Sequence, residues 1–562
     1  MVHYLLSWGA PTERLFDITI RFLAPTDTPR LLLPAWRPGR YLIQDYAANV
    51  REWAAGGRRI WKDGKSSWRV DARAGDEVVV RYRYYAGVLD AGSSFLDETE
   101  AYFNGSNLFM LVDGLRSEEC FLTIAAPAEW RIETQLPKED EGWFRARDYD
   151  HLIDSPTIAA PVMTRHSFLE SGARIHLVFR DDEGIDTEQY VEPVRAIVKS
   201  QAELFGGLPF DDYRFLYHVR DRWHGVEHES SCSIIVPRSA MLGAKAGEPG
   251  YDHTLSITAH ELFHAWNVKR IVPAKFLPYD YWNETPTRLL WAMEGLTSYY
   301  GELTLVRSGL WTVARYLEHL QKEIELLESM PARGHLSLAQ ASFDGWLADP
   351  AHMHDQPNAW YSFYNKGEVV SALLDLTILR ATAGAKSLDD VVRLLWERYG
   401  KSGSGLEEDA MERAVAEVAD VGDFFARYVD GADPLPYAEL FGTAGVAFAA
   451  TPSDAISFGA RFRTSEGQLV IESVIRGAAA MEAGVLPHDE IVAIGGLRTT
   501  NENAVTNALR GLAEGEAIEV LVARAGVVKP LTLRGRRDGR VKIRLTAEGK
   551  NEVRRSWLKR EE

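Results

Sequence analysis

Two histidines four residues apart, with a glutamate directly after the first, form the stretch of this sequence with the clearest chemical meaning. Residues 260–264 read His-Glu-Leu-Phe-His. On an α-helix, His260 and His264 lie one turn apart on one face, so both imidazoles can bind one metal ion. Glu261 lies about 100° around the helix, beside the metal's open position, where it can take a proton from a water molecule. Because a pattern with three fixed positions also occurs by chance, other residues must support this interpretation.

A downstream glutamate could supply a third metal ligand. Glu294 lies in a mostly apolar helical pattern at 291–300, where a carboxylate is costly unless a cation pairs with it. Two histidines and one glutamate are a known catalytic zinc set that leaves a position for water. The alternative is a partly exposed glutamate at the end of a helix.

Two other segments carry groups that could contact a substrate. The segment 223–229 contains Glu227 and His228 within a cluster of carboxylates and imidazoles, which could bind a substrate ammonium. Alone, such a cluster is more often a solvated loop. In the segment 361–367, Tyr364 could donate a hydrogen bond to a developing oxyanion, although a tyrosine in an aromatic run usually belongs to the core.

The elements that must position these residues fall into successive regions. Short apolar runs separated by turn-forming residues dominate up to about residue 170, and longer helical periodicities follow from about 185. A stretch rich in Gly, Ala and Pro at 430–455 is typical of a linker. We therefore predict a multi-domain α+β fold. It consists of an N-terminal β-sandwich domain (1–170), a mainly helical catalytic domain (171–440), a compact β-rich domain (453–540) and a charged tail (541–562).

Composition excludes several classes of protein. The 562 residues suffice for three or four domains, and no apolar run approaches the ~20 residues of a membrane span. The net charge of −18 argues against nonspecific nucleic-acid binding. The two cysteines, Cys120 and Cys232, imply no disulfide framework, and the first residues do not resemble a secretory signal. These features predict a cytoplasmic location.

Several segments together resemble the glycyl aminopeptidases, a PDZ-carrying family of thermolysin-like zinc peptidases. The stretch 257–270 is similar to the active-site signature of that family, and 34–41 to part of its N-terminal β-domain. The stretch 291–300 is similar to the helix that carries the third zinc ligand. The likeness spans most of the chain and implies a thermolysin-like catalytic domain.

The resemblance assigns roles to the candidate residues. It implies one zinc ion per chain, with His260, His264 and Glu294 as ligands and Glu261 as general base.

The same resemblance extends to substrate-contacting residues. Tyr364 matches a Tyr-x-Lys-Gly element of related aminopeptidases, in which the tyrosine stabilises the tetrahedral intermediate. Gly225-Val226-Glu227-His228 corresponds to their exopeptidase motif Gly-x-Met-Glu-Asn, which implies that Glu227 binds the free amine of the substrate. Here Val226 and His228 depart from the Met and Asn of that motif.

The segment from about 455 to 540 resembles a PDZ domain. Phe458, Gly459 and Ala460 occupy the place of the carboxylate-binding loop before an edge strand. Such domains bind a C-terminal peptide by strand addition. The alternative is a PDZ-like domain that packs on the catalytic domain and binds no ligand.

These observations predict a zinc-dependent aminopeptidase for peptides with a free N-terminus, and the resemblance implies a preference for Gly or Ala. A zinc endopeptidase of the same fold and a non-catalytic PDZ scaffold are the alternatives. The predicted linker at 430–455 further suggests that a chain ending before residue 450 still folds and cleaves small substrates.

Overall fold

A computed structural model describes residues 1–348, 353–537 and 539–560. Within these ranges, no helix is both long enough and apolar enough to cross a membrane. The chain divides into two compact units. The first comprises Met1–Thr285, Tyr300–Trp311 and Val392–Ala410, and the second comprises Pro286–Tyr299, Thr312–Val391 and Met411–Glu562.

The N-terminal part of the first unit is built from short strands whose side chains alternate between core and solvent. In the strand Leu15–Leu23, Phe16, Ile18 and Ile20 are buried while the residues between them are less so. The elements are β1 Val2–Trp8, β2 Leu15–Leu23, β3 Arg30–Leu32, β4 Val50–Ala54, β5 Ile60–Gly64, β6 Ser67–Val70, β7 Glu77–Tyr85, β8 Phe95–Leu96, β9 Ala101–Phe103, α1 Gly105–Leu108, β10 Leu111–Val112, β11 Cys120–Ile124, β12 Arg131–Thr134, β13 Phe144–Ala146, α2 Tyr149–Ile153 and β14 Thr157–Ala160.

These strands form three sheets. A six-stranded sheet has the order β13-β11-β1-β2-β7-β4, and a four-stranded sheet has the order β10-β3-β6-β5. The two sheets share one hydrophobic core, in which Leu31 and Trp68 of the smaller sheet meet Tyr4, Ile18 and Tyr82 of the larger one. A second four-stranded sheet has the order β12-β14-β9-β8. A β-rich N-terminal domain is thus confirmed, and its finer assignment as a β-sandwich stays a prediction.

A mixed sheet follows and supports the first candidate residues. Its strands are β15 Thr164–Glu170, β16 Ala173–Arg180, β17 Asp212–Val219, β18 His224–Glu227 and β19 Ser231–Val236. They have the order β15-β16-β17-β19-β18, and β18 is an antiparallel edge strand. The predicted domain boundary at 170 falls in the turn between β15 and β16, so it divides a single hairpin. The local sequence pattern of a hairpin does not reveal which sheet its strands join. The helices of this region are α3 Val191–Phe205, α4 Arg238–Met241 and α5 Pro249–Phe263.

The following part of the chain is helical, as predicted. The helix Val313–Glu328 buries Tyr316, Leu320, Ile324 and Leu327 on one face, at spacings of three and four residues. The helices are α6 Leu296–Arg307, α7 Val313–Glu328, α8 Leu338–Phe343, α9 Gln356–Ala359, α10 Phe363–Ala381, α11 Leu388–Leu395, α12 Ala410–Val418 and α13 Tyr437–Thr443, with π-helical turns at Trp291–Gly295, Trp396–Gly400 and Phe425–Val429.

The C-terminal part of the second unit contains a small sheet with its own hydrophobic core, which includes Phe458, Leu469, Val505 and Leu533. In chain order, the strands of this sheet are β21 Ala460–Ser465, β22 Gln468–Val474, β23 Glu490–Ile494, β24 Leu497–Arg498, β25 Ala517–Arg524 and β26 Val527–Arg534. Their order in the sheet is β21-β22-β23-β25-β26, with β24 paired to β23. That this segment is a PDZ domain stays a prediction. The other elements of this part are β20 Val446–Pro452, α14 Ala479–Glu482, α15 Glu502–Leu509, β27 Val541–Ala547 and α16 Glu552–Leu558.

Two sequence predictions differ from the structure at this end. The predicted linker at 430–455 contains α13 and β20, and the predicted charged tail at 541–562 contains β27 and α16. Strand β27 pairs with β20 along its whole length, and Trp557 of α16 is fully buried. The pairing joins residues about 90 positions apart, so local composition could not indicate it. A chain ending before residue 450 lacks β27 and α16, which removes the basis for expecting it to fold.

Candidate active site

The helix α5 brings the two motif histidines together. Pro249 occupies its first turn, and His264 caps its C-terminal end. The Nε2 atoms of His260 and His264 lie 3.0 Å apart, and the two rings are nearly perpendicular. Two nitrogens bound to one tetrahedral zinc at ~2.0–2.1 Å lie about 3.3 Å apart, so the pair suits one metal ion.

A backbone carbonyl determines the tautomer of the second histidine. His264 Nδ1 lies 2.7 Å from the carbonyl oxygen of Asn267. Because that oxygen can only accept, Nδ1 carries the proton and donates, and Nε2 keeps its lone pair. This outer hydrogen bond is typical of histidines that bind metals. The donor set therefore fits a zinc ion.

The carboxylate of Glu261 lies against the backbone of the strand β18. A Cβ atom at Gly225 would fall 2.0 Å from Glu261 Oε1, so only glycine leaves room for this carboxylate. Glu227, two residues further along β18, faces the same side of the strand. Three buried residues approach one another here, namely Glu227, Glu261 and His264. Each offers one potential ligand atom, and these atoms all lie within 4.8 Å of one another. Two buried carboxylates at this distance favour a bound cation.

A loop of the N-terminal domain closes over Glu227. A Cβ atom at Gly39, which has φ +80°, would fall 2.4 Å from Glu227 Oε2. Among the described residues, Glu227 Oε1 has no hydrogen-bond partner. The carboxylate is thus held in a narrow space with one oxygen available to a ligand.

His228 directly follows the strand β18 and is buried. It lines a cavity of about 160 Å³ together with Arg37, Asp154, Lys269 and Tyr279, among others. Its Nδ1 lies 3.1 Å from Asp154 Oδ1, so this ring contacts a carboxylate of the N-terminal domain.

Glu294 belongs to the second unit and is 1% exposed. It lies in the π-helical turn Trp291–Gly295, which leads directly into α6. Such turns interrupt regular helices and are frequent at functional sites. The next residue, Gly295, packs on α10, since a Cβ atom there would fall 2.5 Å from the Cα atom of Gly367. The predicted helical setting of Glu294 is confirmed.

Tyr364 lies in the first turn of α10, in the same unit as Glu294. The Ser362 side chain caps this helix by accepting from the Tyr364 N–H, and the half-buried Tyr364 ring stacks on Phe363. In the Tyr-x-Lys-Gly element, Lys366 Nζ donates to Tyr361 Oη at 3.0 Å. Burial lowers the pKa of Lys366 to about 8.

The residues predicted for a peptide-binding groove line a second, larger cavity. Phe458, Gly459 and Ala460 border a space of about 610 Å³ between the edge strand β21 and the helix α15. Phe458 is buried in the core of the small sheet, and the Gly459 N–H donates to Ser457 Oγ at 3.2 Å. That this space binds a peptide stays a prediction.

Sequence reasoning missed three contributors to the first unit's site. Gly39 and Lys269 lie in segments that resemble the family, but nothing in the sequence indicated their contacts. Asp154 carried no signal at all, because its partners lie more than 70 residues away along the chain.

Comparisons with known proteins agree with this organisation. Residues 3–161 match the Peptidase M61 N-terminal domain, and residues 253–370 match the M61 glycyl aminopeptidase. The crystal structure of an aminopeptidase N family protein from Idiomarina loihiensis superposes with a TM-score of 0.93 at 27% identity, covering 99% of this chain and 100% of that one. The M1 zinc metallopeptidase of Deinococcus radiodurans gives a TM-score of 0.48 at 14% identity, covering 77% and 94%. No curated protein matches the chain. Through its two matched domains and its full-length structural relative, the chain belongs to the M61 glycyl aminopeptidase family of zinc metallopeptidases.

Proposed function

We propose that this protein is an aminopeptidase that hydrolyses the first peptide bond of peptides with a free N-terminus. The observation that carries the proposal is the pair of buried carboxylates, Glu227 and Glu261, beside His264. Glu261 occupies the general-base position of the H-E-x-x-H pattern, which leaves Glu227 for another cation. A peptide supplies one such cation at a constant distance from its first peptide bond, namely its α-ammonium group.

We propose further that one zinc ion per chain is held by His260, His264 and Glu294. The 3.0 Å spacing of the two Nε2 atoms and the hydrogen bond from His264 to Asn267 support the histidine pair. The family resemblance and the buried position of Glu294 support the third ligand. An ion held by these residues would supply Lewis-acid chemistry, which would polarise the scissile carbonyl and lower the pKa of water to about 7.

The side chains then divide the remaining work. Glu261 takes the proton of the attacking water and passes it to the leaving nitrogen, so that the product amine departs neutral. Glu227 accepts a charge-assisted hydrogen bond from the α-ammonium group and so aligns the first peptide bond. The Tyr364 hydroxyl donates a hydrogen bond to the carbonyl oxygen as negative charge develops there.

The finer features of the proposal rest on the family resemblance. It favours Gly or Ala as the first residue of the substrate. It also favours a C-terminal peptide as ligand of the groove at Phe458, Gly459 and Ala460, where β21 is an unpaired edge and α15 forms the opposite wall. A cytoplasmic location stays a prediction.

A substrate panel tests the proposal. The 4-nitroanilides of Gly, Ala, Leu and N-acetyl-Gly are compared at equal enzyme concentration, with the zinc content of the enzyme measured in parallel. We expect about one zinc per chain, faster turnover of Gly and Ala than of Leu, and little turnover of the acetylated compound. Equal cleavage of acetylated and free substrates, with internal cleavage of longer peptides, would favour the endopeptidase. No turnover by the zinc-loaded protein would favour the scaffold.

A further inference from the structure

One carboxylate of the N-terminal domain contacts three different groups of the predicted catalytic domain (171–440). Asp154 Oδ1 accepts from His228 Nδ1 at 3.1 Å and from Lys269 Nζ at 2.7 Å, and its Oδ2 accepts from the Glu229 backbone N–H at 2.8 Å. His228 and Glu229 directly follow Glu227. Asp154 is therefore bound to the turn that holds the proposed amine-binding carboxylate.

The same carboxylate is also linked to the segment after the metal-binding helix. Lys269 lies five residues beyond His264, and its backbone N–H donates to the His264 carbonyl oxygen at 3.1 Å. Through Lys269, Asp154 joins the segment that follows His264 to the turn that follows Glu227. These are the two segments whose separation sets the distance from the α-ammonium site to the scissile bond.

The charges make this connection rigid. Burial alone would raise the pKa of Asp154, but Lys269 and His228 outweigh it and hold that pKa well below its ordinary value. Burial alone would lower the pKa of Lys269, and Asp154 outweighs it and raises that pKa. Both groups are thus charged at neutral pH. Breaking one partner of such a pair leaves the other charge poorly compensated.

A second element of the same domain acts on Glu227 itself. Gly39 packs against its carboxylate so closely that any side chain at this position would displace it. The N-terminal domain consequently contacts Glu227 directly and also contacts the turn that carries it.

We propose that Asp154 is a positioning residue for amine recognition, which sets Glu227 at the correct distance from the histidine pair, and that Gly39 completes the same subsite. The inference rests on the proposed role of Glu227. It predicts that a change at Asp154 weakens the recognition of the free amine more than it weakens hydrolysis itself.

The test compares Asp154→Asn with Asp150→Asn. An amide at position 154 keeps the shape but accepts at only one end, so it cannot serve both Lys269 and the Glu229 N–H. Asp150 is a matched control, since it borders the same cavity but its carboxylate accepts from Arg116 and Tyr281 rather than from the turn after β18. The substrates are Gly 4-nitroanilide and N-acetyl-Gly 4-nitroanilide, and the readout is the ratio of their kcat/KM values.

We expect Asp154→Asn to lower this ratio about ten- to hundredfold, mainly through a higher KM for the free amine. Asp150→Asn should leave the ratio within about twofold of the parent, since the Asp150 carboxylate pairs with Arg116 and Tyr281 instead. An equal loss on both substrates, or an unchanged ratio, would mean that Asp154 is only structural and would overturn the inference.

A second pair of variants covers the case in which Asp154→Asn does not fold. Gly39→Ala places a Cβ atom on the Glu227 carboxylate, whereas Gly57→Ala introduces a side chain at a similar positive φ with no atom within 4 Å. Only Gly39→Ala should lower the ratio, and equal effects of the two would contradict the inference.

The variant Glu227→Gln distinguishes failure of the inference from failure of the proposed function. If this variant keeps the parent's ratio, both the aminopeptidase proposal and the inference fail. If the ratio falls in Glu227→Gln but stays at the parent's value in Asp154→Asn and Gly39→Ala, only the inference fails.

Discussion

The N-terminal domain and the C-terminal end of the chain contact their neighbours through different chemistry. The N-terminal domain contacts residues 228–231 with directional polar groups, including the carboxylate of Asp154 and the amide of Gln135. At the C-terminal end, strand pairing between β20 and β27 and the buried ring of Trp557 predominate. Directional contacts determine the geometry of a few atoms, whereas strand pairing and apolar burial contribute mainly to stability. The first region should therefore affect catalysis, and the second should affect folding.

Residues 453–540 can be removed by truncating the chain or by excising this segment alone. The largest effect is expected for truncation. A chain ending at residue 450 loses β27, whose backbone N–H groups at Ile543 and Leu545 donate to side chains of α7, and it also loses α16. We expect this loss to approach the whole stability of the unit, on the order of 5–15 kcal/mol. Circular dichroism and solubility measure it.

Excision of 453–540 should be tolerated instead. Pro452 and Val541 are paired partners in neighbouring strands, so their Cα atoms lie about 5 Å apart and a two-residue Asn-Gly turn can join them. The excised protein should fold and cleave Gly 4-nitroanilide. If the truncated chain folds as well as the excised one, the C-terminal strand and helix are dispensable.

Trp557→Ala should lower the free energy of unfolding by about 3–5 kcal/mol, because it removes a fully buried ring between Tyr316 and Phe441. It also removes the hydrogen bond from Trp557 Nε1 to Tyr299. Chemical denaturation measures the change, with the partly exposed Trp53→Ala as control. The kcat/KM of the folded fraction should stay close to that of the parent. A large change in kcat/KM with little loss of stability would mean that the C-terminal end affects catalysis rather than folding.

Glu261→Gln should reduce kcat by about 10²–10⁴-fold, because the amide cannot accept the proton of the attacking water. Zinc content and the midpoint of thermal unfolding should stay near those of the parent, since the two histidines are untouched. Metal analysis and steady-state kinetics on Gly 4-nitroanilide provide the measurement. Near-normal turnover by this variant would remove Glu261 from the mechanism.

Glu227→Ala should cost ~2–4 kcal/mol of transition-state binding for substrates with a free amine, on the scale of a broken charged hydrogen bond. The acetylated substrate should be affected far less. The measurement is kcat/KM on both substrates. A uniform loss would indicate that Glu227 supports the fold rather than the amine.

The smallest effect concerns acid stability. The pKa of Asp154 is lower in the folded protein than in the unfolded chain, so its stabilising contribution is fully present above the unfolded value of ~3.9 and is lost as the pH falls through the folded value. The difference in unfolding free energy between the parent and Asp154→Asn should therefore be constant near neutrality and shrink below about pH 4. Urea denaturation across this pH range measures it. A difference that grows in acid would contradict the assigned shift.

The sequence predicts those parts of the site that lie close together along the chain. His260, Glu261 and His264 fall within five residues, and helical geometry alone brings the two histidines together. The contact between Gly225 and Glu261 joins residues 36 positions apart, and only the family motif pointed to that glycine. Gly39 and Asp154 could not be predicted, because their partners are determined by how a separate domain packs.

The fold follows the same division. The alternation in β2 and the apolar face of α7 are local patterns, and their periods predict a strand and a helix. The charged composition of residues 541–562 conceals the few residues that matter there, since Trp557 and Leu558 are buried among exposed charges. Partners in a β-ladder are not encoded in the composition of either strand.

The pairing of β20 with β27 has a consequence for the order in which the protein folds. These strands close a loop of about 90 residues, which would cost about 4 kcal/mol of chain entropy if the intervening segment were unfolded. That segment has its own hydrophobic core, and once it is folded its two ends already lie near each other. We infer that the small sheet forms before β27 and α16 dock, so that during synthesis the second unit is completed only after residues 541–558 have emerged.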